Sequence, residues 1–177
     1  SILDVNATRL RYVHDILRGQ VTTVMSNRAN VEEEVLSADL VIGTVLIPGA
    51  RAPKLLSREL VAAMRKGAAL VDVSIDQGGT SETSRPTTHR DPIYVEHGVV
   101  HYCVTNMPGI VPHTSTHALT NATLSYALQI ADAGVEQALR ASVPLQRALN
   151  VYRGKVVHAG VAEACGLEAT PVRDVLG

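Results

Sequence analysis

The sequence contains no phenylalanine and no tryptophan, and five tyrosines are the only residues of that aromatic group. A hydrophobic core must therefore be built from Val, Leu, Ile and Ala, which leaves few large rings to stack on a ligand. Only two cysteines are present, Cys103 and Cys165, and they are too isolated to form a disulfide framework or a zinc knuckle. This usage favours a reducing compartment, so we expect a cytoplasmic protein.

Long hydrophobic runs and an excess of one charge are also absent. The net charge is -1, from 16 basic and 17 acidic side chains, and it implies no nucleic acid or other polyanion as a partner. The best apolar run, residues 40–46, is too short to cross about 30 Å of hydrocarbon, and we expect no signal peptide. The sequence begins at Ser1 as if already inside a strand, so we expect an amino-terminal part to precede it.

Strand and helix patterns alternate through residue 73, and the chain is long enough for one good core or one domain and part of another. Asn6 and Asn30 are the predicted caps of the first two helices. The continuous apolar run of residues 40–45 predicts a strand that is buried on both faces. This β-α-β-α-β-α-β order predicts an α/β fold with a Rossmann-type doubly wound parallel sheet. The predicted strands are 2–3, 21–25, 40–45 and 69–73, and the third helix is 57–65.

The second half of the sequence departs from this alternation. Two short β segments, 93–96 and 99–104, are followed by a pattern that predicts one long helix over residues 114–141. That helix is too long for a crossover within a sheet, so we expect it to run between domains. The sequence therefore predicts a dinucleotide-binding domain at 1–111 and a helical segment at 112–177 that belongs to a second domain.

A candidate site follows the fourth predicted strand. The segment 71–79 (VDVSIDQGG) passes from an apolar strand into Asp76, an amide and two glycines, and ligands of open parallel sheets bind outside the carboxyl ends of the strands. We expect Asp72, inside the strand, to be structural. A partly buried Asp76 could hold a catalytic His or a cationic amine and orient proton transfer. The alternative is that turn amides satisfy Asp76.

Four residues before this turn fit the cofactor half of a dinucleotide fold. Asp4 ends the first strand, where an acidic side chain binds the adenosine ribose diol and disfavours the 2′-phosphate of NADP. The alternative is that Asp4 only helps to start the next helix. Arg9 and Ser26 can face the adenosine half, although each is weak evidence alone, and we expect Val45 to line the cofactor cleft.

Two histidine pairs, His113 with His117 and His97 with His101, have the i, i+4 spacing at which two side chains on one face of a helix can bind zinc. Neither pair has the glutamate of a metalloprotease motif or an obvious third ligand. The second pair straddles Gly98 and indicates a strand. We therefore predict no metal site.

With these motifs in view, the chain resembles the alanine dehydrogenase family, which also includes the NAD-binding part of proton-translocating transhydrogenase. The resemblance extends from Ser1 to about Ala131 and thins in the tail. Long, ordered motifs carry it, which makes it far more specific than a lone glycine pattern. They are 39–50 (DLVIGTVLIPGA), 52–54 (APK), 71–79 (VDVSIDQGG), 84–89 (SRPTTH), 102–103 (YC), 106–109 (NMPG), 114–116 (TST) and 118–122 (ALTNA).

The resemblance implies reversible oxidative deamination of L-alanine to pyruvate and ammonia with NAD, in a cytoplasmic homohexamer of two-domain subunits. It implies that hydride leaves the alanine Cα, that water attacks the resulting imine with a His as acid-base group, and that Asp76 is the active-site aspartate. It also implies a set of cofactor-binding positions. These are Asp4, Arg9 and Ser26, then Val45, Val73, Ser74, Ile75 and Asp76 on the nicotinamide side, and finally Arg85, Val104, Thr105, Asn106 and Met107.

Part of the family pattern lies outside this sequence. The family's glycine-rich phosphate loop, substrate-binding Arg, catalytic Lys and catalytic His belong to segments that precede Ser1. The resemblance thus implies that the 177-residue chain alone lacks turnover and that residues from 112 onward complete the other domain. Two alternatives stay open, an NAD-binding subunit of a proton-translocating transhydrogenase and a non-catalytic nucleotide-binding fragment.

Overall fold

The computed structural model describes residues 1–177. It divides into two compact units, the first of Ser1–Leu46 with Ala52–Thr105 and the second of Ile47–Arg51 with Asn106–Gly177. The assignment of residues 1–111 to cofactor binding and of 112–177 to a second, substrate-binding domain stays a prediction about function.

The first unit alternates strands and helices through its first four strands, as the sequence pattern predicts. Helix α1 begins after Asn6, whose side chain accepts a hydrogen bond from Arg9 N, and Ser57 caps α3 in the same way through Leu60 N. A single 3₁₀ turn, Val73–Gln77, follows the fourth strand. The elements are β1 (Ile2–Asp4), α1 (Ala7–Ile16), β2 (Thr23–Met25), α2 (Arg28–Ser37), β3 (Leu40–Gly43), α3 (Arg58–Ala63), β4 (Ala69–Asp72), β5 (Ile93–Glu96) and β6 (Val99–Tyr102).

The strands of the first unit form two sheets with mainly parallel pairing. Strands β1 and β2 make a parallel pair, and the other four strands are ordered β3-β4-β6-β5, with β3, β4 and β6 parallel. Strand β5 is antiparallel to β6, because His97 and Gly98 both have positive φ and close a tight hairpin. The α/β, Rossmann-like class predicted from the sequence is confirmed.

The core of the first unit lies where α2 and α3 pack on β4 and β6. Leu70, Val61 and Val99 are completely buried there, and Leu3 and Val41 pack against the same cluster. Each buried side chain of this size stabilises the fold by about 1.5–3 kcal/mol relative to full exposure. The cluster consists of Val31, Val35, Leu56, Val61, Met64, Ala68, Leu70 and Val99.

The predicted cap at Asn30 is wrong. Asn27 has extended backbone angles and its side chain accepts from Asn30 N at 2.9 Å, so the helix begins three residues earlier. Asn30 lies inside the first turn and its side-chain amide donates to Met25 O at 2.8 Å. Two asparagines at this spacing can each start a helix, and the strand end at Met25 selects the first.

The expectation that the third strand is buried on both faces is also wrong. Strand β3 ends at Gly43, and Leu40 and Ile42 are 54% and 56% exposed, whereas Val41 packs on the core. An apolar run of this length cannot reveal which of its two faces another element covers, because both faces have the same composition.

The second unit is mostly helical. Helix α4 begins at Pro112, a favourable first position because proline lacks an N–H, and it contains no buried residue. The predicted single helix over 114–141 is wrong, because Gly134 (φ 76°, ψ 159°) separates α4 from α5. No helix of the protein is both long enough and apolar enough to span a membrane. The elements are α4 (Pro112–Ala133), α5 (Val135–Ala141), α6 (Val143–Ala148), β7 (Val151–Tyr152), β8 (Lys155–Val156), α7 (Ala159–Cys165) and α8 (Val172–Leu176).

Candidate functional site

The carboxyl ends of β1 and β2 bring Asp4 and Ser26 together. Ser26 N donates to Asp4 O at 2.9 Å, and the Asp4 side chain accepts from Asn6 N at 2.8 Å through Oδ1. Asp4 therefore does help to start α1, which was the alternative interpretation. Its Oδ2 makes no hydrogen bond within the chain, so the carboxylate keeps a free acceptor for a ligand hydroxyl. Arg9, exposed on α1, has its guanidinium carbon 5.5 Å from the Tyr12 ring centroid.

At the ends of β3 and β4, the 3₁₀ turn presents two of its residues to solvent and buries two. Ser74 and Ile75 are buried, and Ser74 Oγ donates to Val45 O at 2.7 Å. A 3₁₀ helix has three residues per turn, so Val73 and Asp76 share one face, and both are exposed. The expectation that Asp76 is partly buried is wrong, because the residue is exposed. Its carboxylate faces solvent and makes no hydrogen bond within the chain.

Asp72, expected to be structural, anchors the loop that follows this turn. Its fully buried carboxylate accepts through Oδ2 from Thr80 N at 2.7 Å, Ser81 N at 3.4 Å and Ser84 Oγ at 2.5 Å. Gly79 has a positive φ, and a Cβ there would lie 2.8 Å from Asp72 Oδ2. Gly79 is thus required because the loop backbone approaches the carboxylate too closely for any side chain, whereas at Gly78, where a Cβ would meet nothing, the positive φ of 94° favours glycine.

Lys54 closes the same loop from its other side, a contact that the sequence interpretation missed. Its Nζ donates to Gly78 O at 2.6 Å and to Ser81 O at 2.8 Å, and Ala52 N donates to Gln77 O at 2.9 Å. The 52–54 motif therefore serves the glycine turn, which lies more than twenty residues away in sequence.

Arg85 lies on an aromatic platform that the sequence interpretation also missed. Its guanidinium carbon is 3.9 Å from the Tyr94 ring centroid, and the Tyr94 hydroxyl accepts from Arg85 N at 2.9 Å and donates to Thr83 O at 2.7 Å. Tyr94 stacks in turn on His101, with centroids 4.8 Å apart and planes 20° apart. Alternation along β5 places Tyr94 on the more covered face, which is the one sequence signal for it.

His101 is completely buried and fully hydrogen bonded. Its Nδ1 is 3.0 Å from Val99 O and therefore carries a proton, because a carbonyl oxygen can only accept. Its Nε2 is 2.8 Å from Thr83 Oγ1, which is 2.8 Å from Ser81 Oγ. Burial of Tyr94 and of the adjacent Cys103 raises the pKa of both groups above their ordinary values.

The segment after β6 pairs with the Arg85 loop. Thr87 N donates to Cys103 O at 2.9 Å and Thr105 N donates to Thr87 O at 3.3 Å, so Val104 is buried while Thr105 is exposed. Asn106, in the left-handed region at φ 55°, and Met107 belong to the second unit. Within the first unit, contacts thus join Asp4 to Ser26, Val45 to Ser74, and the Arg85 loop to Val104 and Thr105.

The histidine pairs occupy the predicted kinds of element. His113 and His117 lie one turn apart on α4, with ring centroids 4.7 Å apart, and His97 and His101 flank the β5–β6 hairpin. No group of three or more His, Cys, Asp or Glu side chains is placed to hold a metal ion. That the protein needs no metal stays a prediction.

Comparisons with known proteins identify relatives along almost the whole chain. The family described as "Alanine dehydrogenase/PNT, C-terminal domain" matches residues 1–159. Alanine dehydrogenase of Staphylococcus haemolyticus is 54% identical over 99% of this chain, and alanine dehydrogenase 2 of Staphylococcus aureus is 51% identical over 99%. In each case the match covers 48% of the relative, so the chain spans about half the length of these curated relatives.

Solved structures give the same result. An L-alanine dehydrogenase superposes with a TM-score of 0.79 at 45% identity, covering 93% of this chain and 45% of that chain. A transhydrogenase from Sinorhizobium meliloti superposes with a TM-score of 0.63 at 24% identity, covering 89% of this chain and 41% of that chain. The second likeness concerns the fold alone.

Proposed function

Because this chain belongs to the alanine dehydrogenase/PNT family, matching its C-terminal domain, we propose that it is the cofactor-binding part of an NAD-dependent alanine dehydrogenase. The whole enzyme would convert L-alanine and water reversibly to pyruvate and ammonia. The observation that carries the proposal is the 54% identity to an alanine dehydrogenase over 99% of the chain. Identity to the transhydrogenase of similar fold is much lower, at 24%.

The residues at the β1 and β2 ends fit the adenosine half of NAD. Asp4 offers an unused carboxylate oxygen for a ribose diol, and the negative charge disfavours a 2′-phosphate. Ser26 follows the neighbouring strand, and Arg9 is exposed in the first turn of α1. We assign these three residues to adenosine binding and therefore NAD, rather than NADP, to the enzyme.

The residues at the β3, β4 and β6 ends fit the nicotinamide half. Val73 is exposed, whereas Ser74, Ile75 and Val104 are buried, so the buried three would contact a cofactor through their main chain. Val45, Arg85, Thr105, Asn106 and Met107 complete the set proposed from the family resemblance. Bound NAD would supply the acceptor for the hydride of the substrate Cα.

Asp76 is the proposed catalytic residue of this chain. Its exposed carboxylate has no partner within the chain, so it is available to attract the cationic amine of the substrate and to stabilise polar transition states. The acid-base His, the Lys and the substrate-binding Arg would come from a further domain that residues 112–177 help to complete. We therefore propose that the 177-residue chain alone has no turnover.

The remaining assignments follow from the same relatives. We propose a cytoplasmic homohexamer that acts on L-alanine, pyruvate and ammonia, without a nucleic-acid or membrane partner. The chief alternative is an NAD-binding subunit of a proton-translocating transhydrogenase, and a non-catalytic nucleotide-binding fragment is the other.

The test uses NADH absorbance with L-alanine and NAD at mildly alkaline pH, on the full-length polypeptide that carries this chain. Alanine-dependent NADH formation is expected there and none from the isolated 177 residues. The full-length Asp76→Asn variant is expected to lose kcat with little change in the NAD dissociation constant, and an unchanged kcat would remove Asp76 from catalysis.

The Asp4→Ala variant tests cofactor binding, whereas Asp76→Asn tests catalysis. It is expected to weaken the free energy of NAD binding by about 1–3 kcal/mol, the value of a lost charged hydrogen bond, and so to raise the NAD dissociation constant. Asp15→Ala, which removes another exposed acidic side chain of the same region, is the matched control and should bind NAD as the wild type does. Equal NAD binding by all three proteins would contradict the assignment of Asp4.

A further inference from the structure

Three side chains of the first unit form a column, with Arg85 on Tyr94 and Tyr94 on His101. The His101 ring, at the end of the column away from Arg85, is held firmly because it is completely buried and hydrogen bonded through both nitrogens. Tyr94 stacks nearly parallel to it, at 20°. The face on which the Arg85 guanidinium lies therefore has a fixed orientation.

The guanidinium is held without using its hydrogen-bond donors. Arg85 takes part in no ion pair or side-chain hydrogen bond within the chain, and its 3.9 Å approach to the Tyr94 ring is a cation–π contact. A carboxylate partner would fix the same side chain but would occupy the N–H groups. A ring face leaves all five N–H donors free for acceptor oxygens of a ligand.

The other Arg–Tyr contacts of the chain lack these features. Arg9 and Tyr12, at 5.5 Å, and Arg153 and Tyr152, at 5.2 Å, are close neighbours in sequence, and Arg153 also pairs with Glu136. Only the Arg85 contact joins a loop to a strand and combines a short distance with uncommitted donors.

We propose that Tyr94 is a positioning residue, whose ring holds the Arg85 guanidinium in place for acceptor oxygens of the bound dinucleotide. This inference rests on the proposed function, which makes Arg85 a cofactor contact. Its physical basis is preorganisation. Immobilising a long side chain on binding costs free energy, and this cost is smaller when the Tyr94 ring already holds the Arg85 side chain before NAD binds.

Two parts of Tyr94 can be separated by mutation. The hydroxyl joins Thr83 O and Arg85 N and therefore holds the loop backbone, whereas the ring supports the guanidinium. Tyr94→Phe keeps the ring and removes the hydroxyl, and Tyr94→Leu removes both. A role confined to the hydroxyl's hold on the loop backbone predicts that the two variants weaken NAD binding equally, and the Arg85→Ala background separates support of the guanidinium from packing of the ring on His101.

The experiment measures the NAD dissociation constant of the full-length protein and its variants by titration. Tyr94→Leu is expected to raise it about tenfold, equivalent to about 1.4 kcal/mol, and Tyr94→Phe less than about threefold. In an Arg85→Ala background, Tyr94→Leu should have no further effect. Tyr152→Leu, which removes a surface Arg–Tyr contact in the second unit, should bind NAD as the wild type does.

A ligand-free measurement on the wild type tests the column itself. Side-chain protons of Arg85 should show upfield NMR shifts from the Tyr94 ring current, and Tyr94→Phe should retain them. Absence of these shifts, equal NAD binding by the Phe and Leu variants, or an undiminished Leu effect without Arg85 would each overturn the inference. A wild type that shows the shifts but does not bind NAD would overturn the proposed function and this inference together.

Discussion

The loop at residues 77–87 and helix α4 differ in the contacts that hold them: the loop is held by tertiary hydrogen bonds and the helix by its own regular structure. The loop has little regular structure, yet a buried carboxylate, a lysine and a tyrosine hydroxyl hold its backbone at many points. Helix α4 is regular α-helix over 22 residues, yet none of its residues is buried. Regular structure and fixed position are therefore separate properties, because the first comes from local bonding and the second from tertiary contacts.

The largest expected effect comes from removing the carboxylate that anchors the loop. Asp72→Ala would leave Thr80 N, Ser81 N and Ser84 Oγ without their acceptor, so we expect the free energy of unfolding to fall by about 4 kcal/mol or more. Urea denaturation measures the change. The control is Asp39→Ala, which removes an exposed ion pair with Arg65 and should cost less than about 1 kcal/mol. Similar losses in both variants would contradict the anchoring role.

A pair of leucine truncations compares the buried sheet with the exposed helix. Leu70→Ala, at a completely buried position of β4, is expected to lower the free energy of unfolding by about 3 kcal/mol, through lost burial and a cavity. Leu128→Ala, at a position of α4 that is 52% exposed, should change it by less than about 0.5 kcal/mol in the isolated chain. Thermal unfolding of the wild type and the two variants measures both changes in the free energy of unfolding. A large loss at Leu128 would show that α4 is packed in solution.

The smallest effect is a dependence on alkaline pH. Burial raises the pKa of Cys103 and Tyr94 above the ordinary values of 9.0 and 10.0, so the folded state favours their protonated forms. The stability they contribute is complete below those ordinary values and is lost as pH rises through the raised ones. The urea midpoint should therefore begin to fall near about pH 9 and continue to fall above about pH 10, and Tyr94→Phe should reduce the fall above about pH 10. Cys165→Ser, at an exposed position, should leave it unchanged.

Features set by neighbouring residues could be predicted from the sequence. The cap at Asn6, the strand that ends at Asp4 and the turn after Asp72 depend on contacts within a few residues, and the structure has each of them. The same reasoning chose the wrong asparagine for α2, because Asn27 and Asn30 offer equivalent local signals.

Features set by distant contacts could not be predicted. The exposed face of β3 depends on which side another element covers, and the apolar sequence at Leu40 and Ile42 is the same for either outcome. Arg85 and Tyr94 are nine positions apart in sequence, and no periodic pattern predicts that they meet. The break at Gly134 was missed because a glycine inside a helical pattern is usually tolerated at a cost of about 1 kcal/mol.

Strands β1 and β3 each pair on one side only, and this has a consequence for handling the isolated chain. An unpaired strand edge presents free N–H and C=O groups that can add a strand from another molecule. Edges of this kind are usually protected by proline, lysine or a bulge, and Leu40–Gly43 contains none of these. Because Leu40 and Ile42 are also exposed, this edge is the expected starting point for aggregation of the 177-residue chain at high concentration.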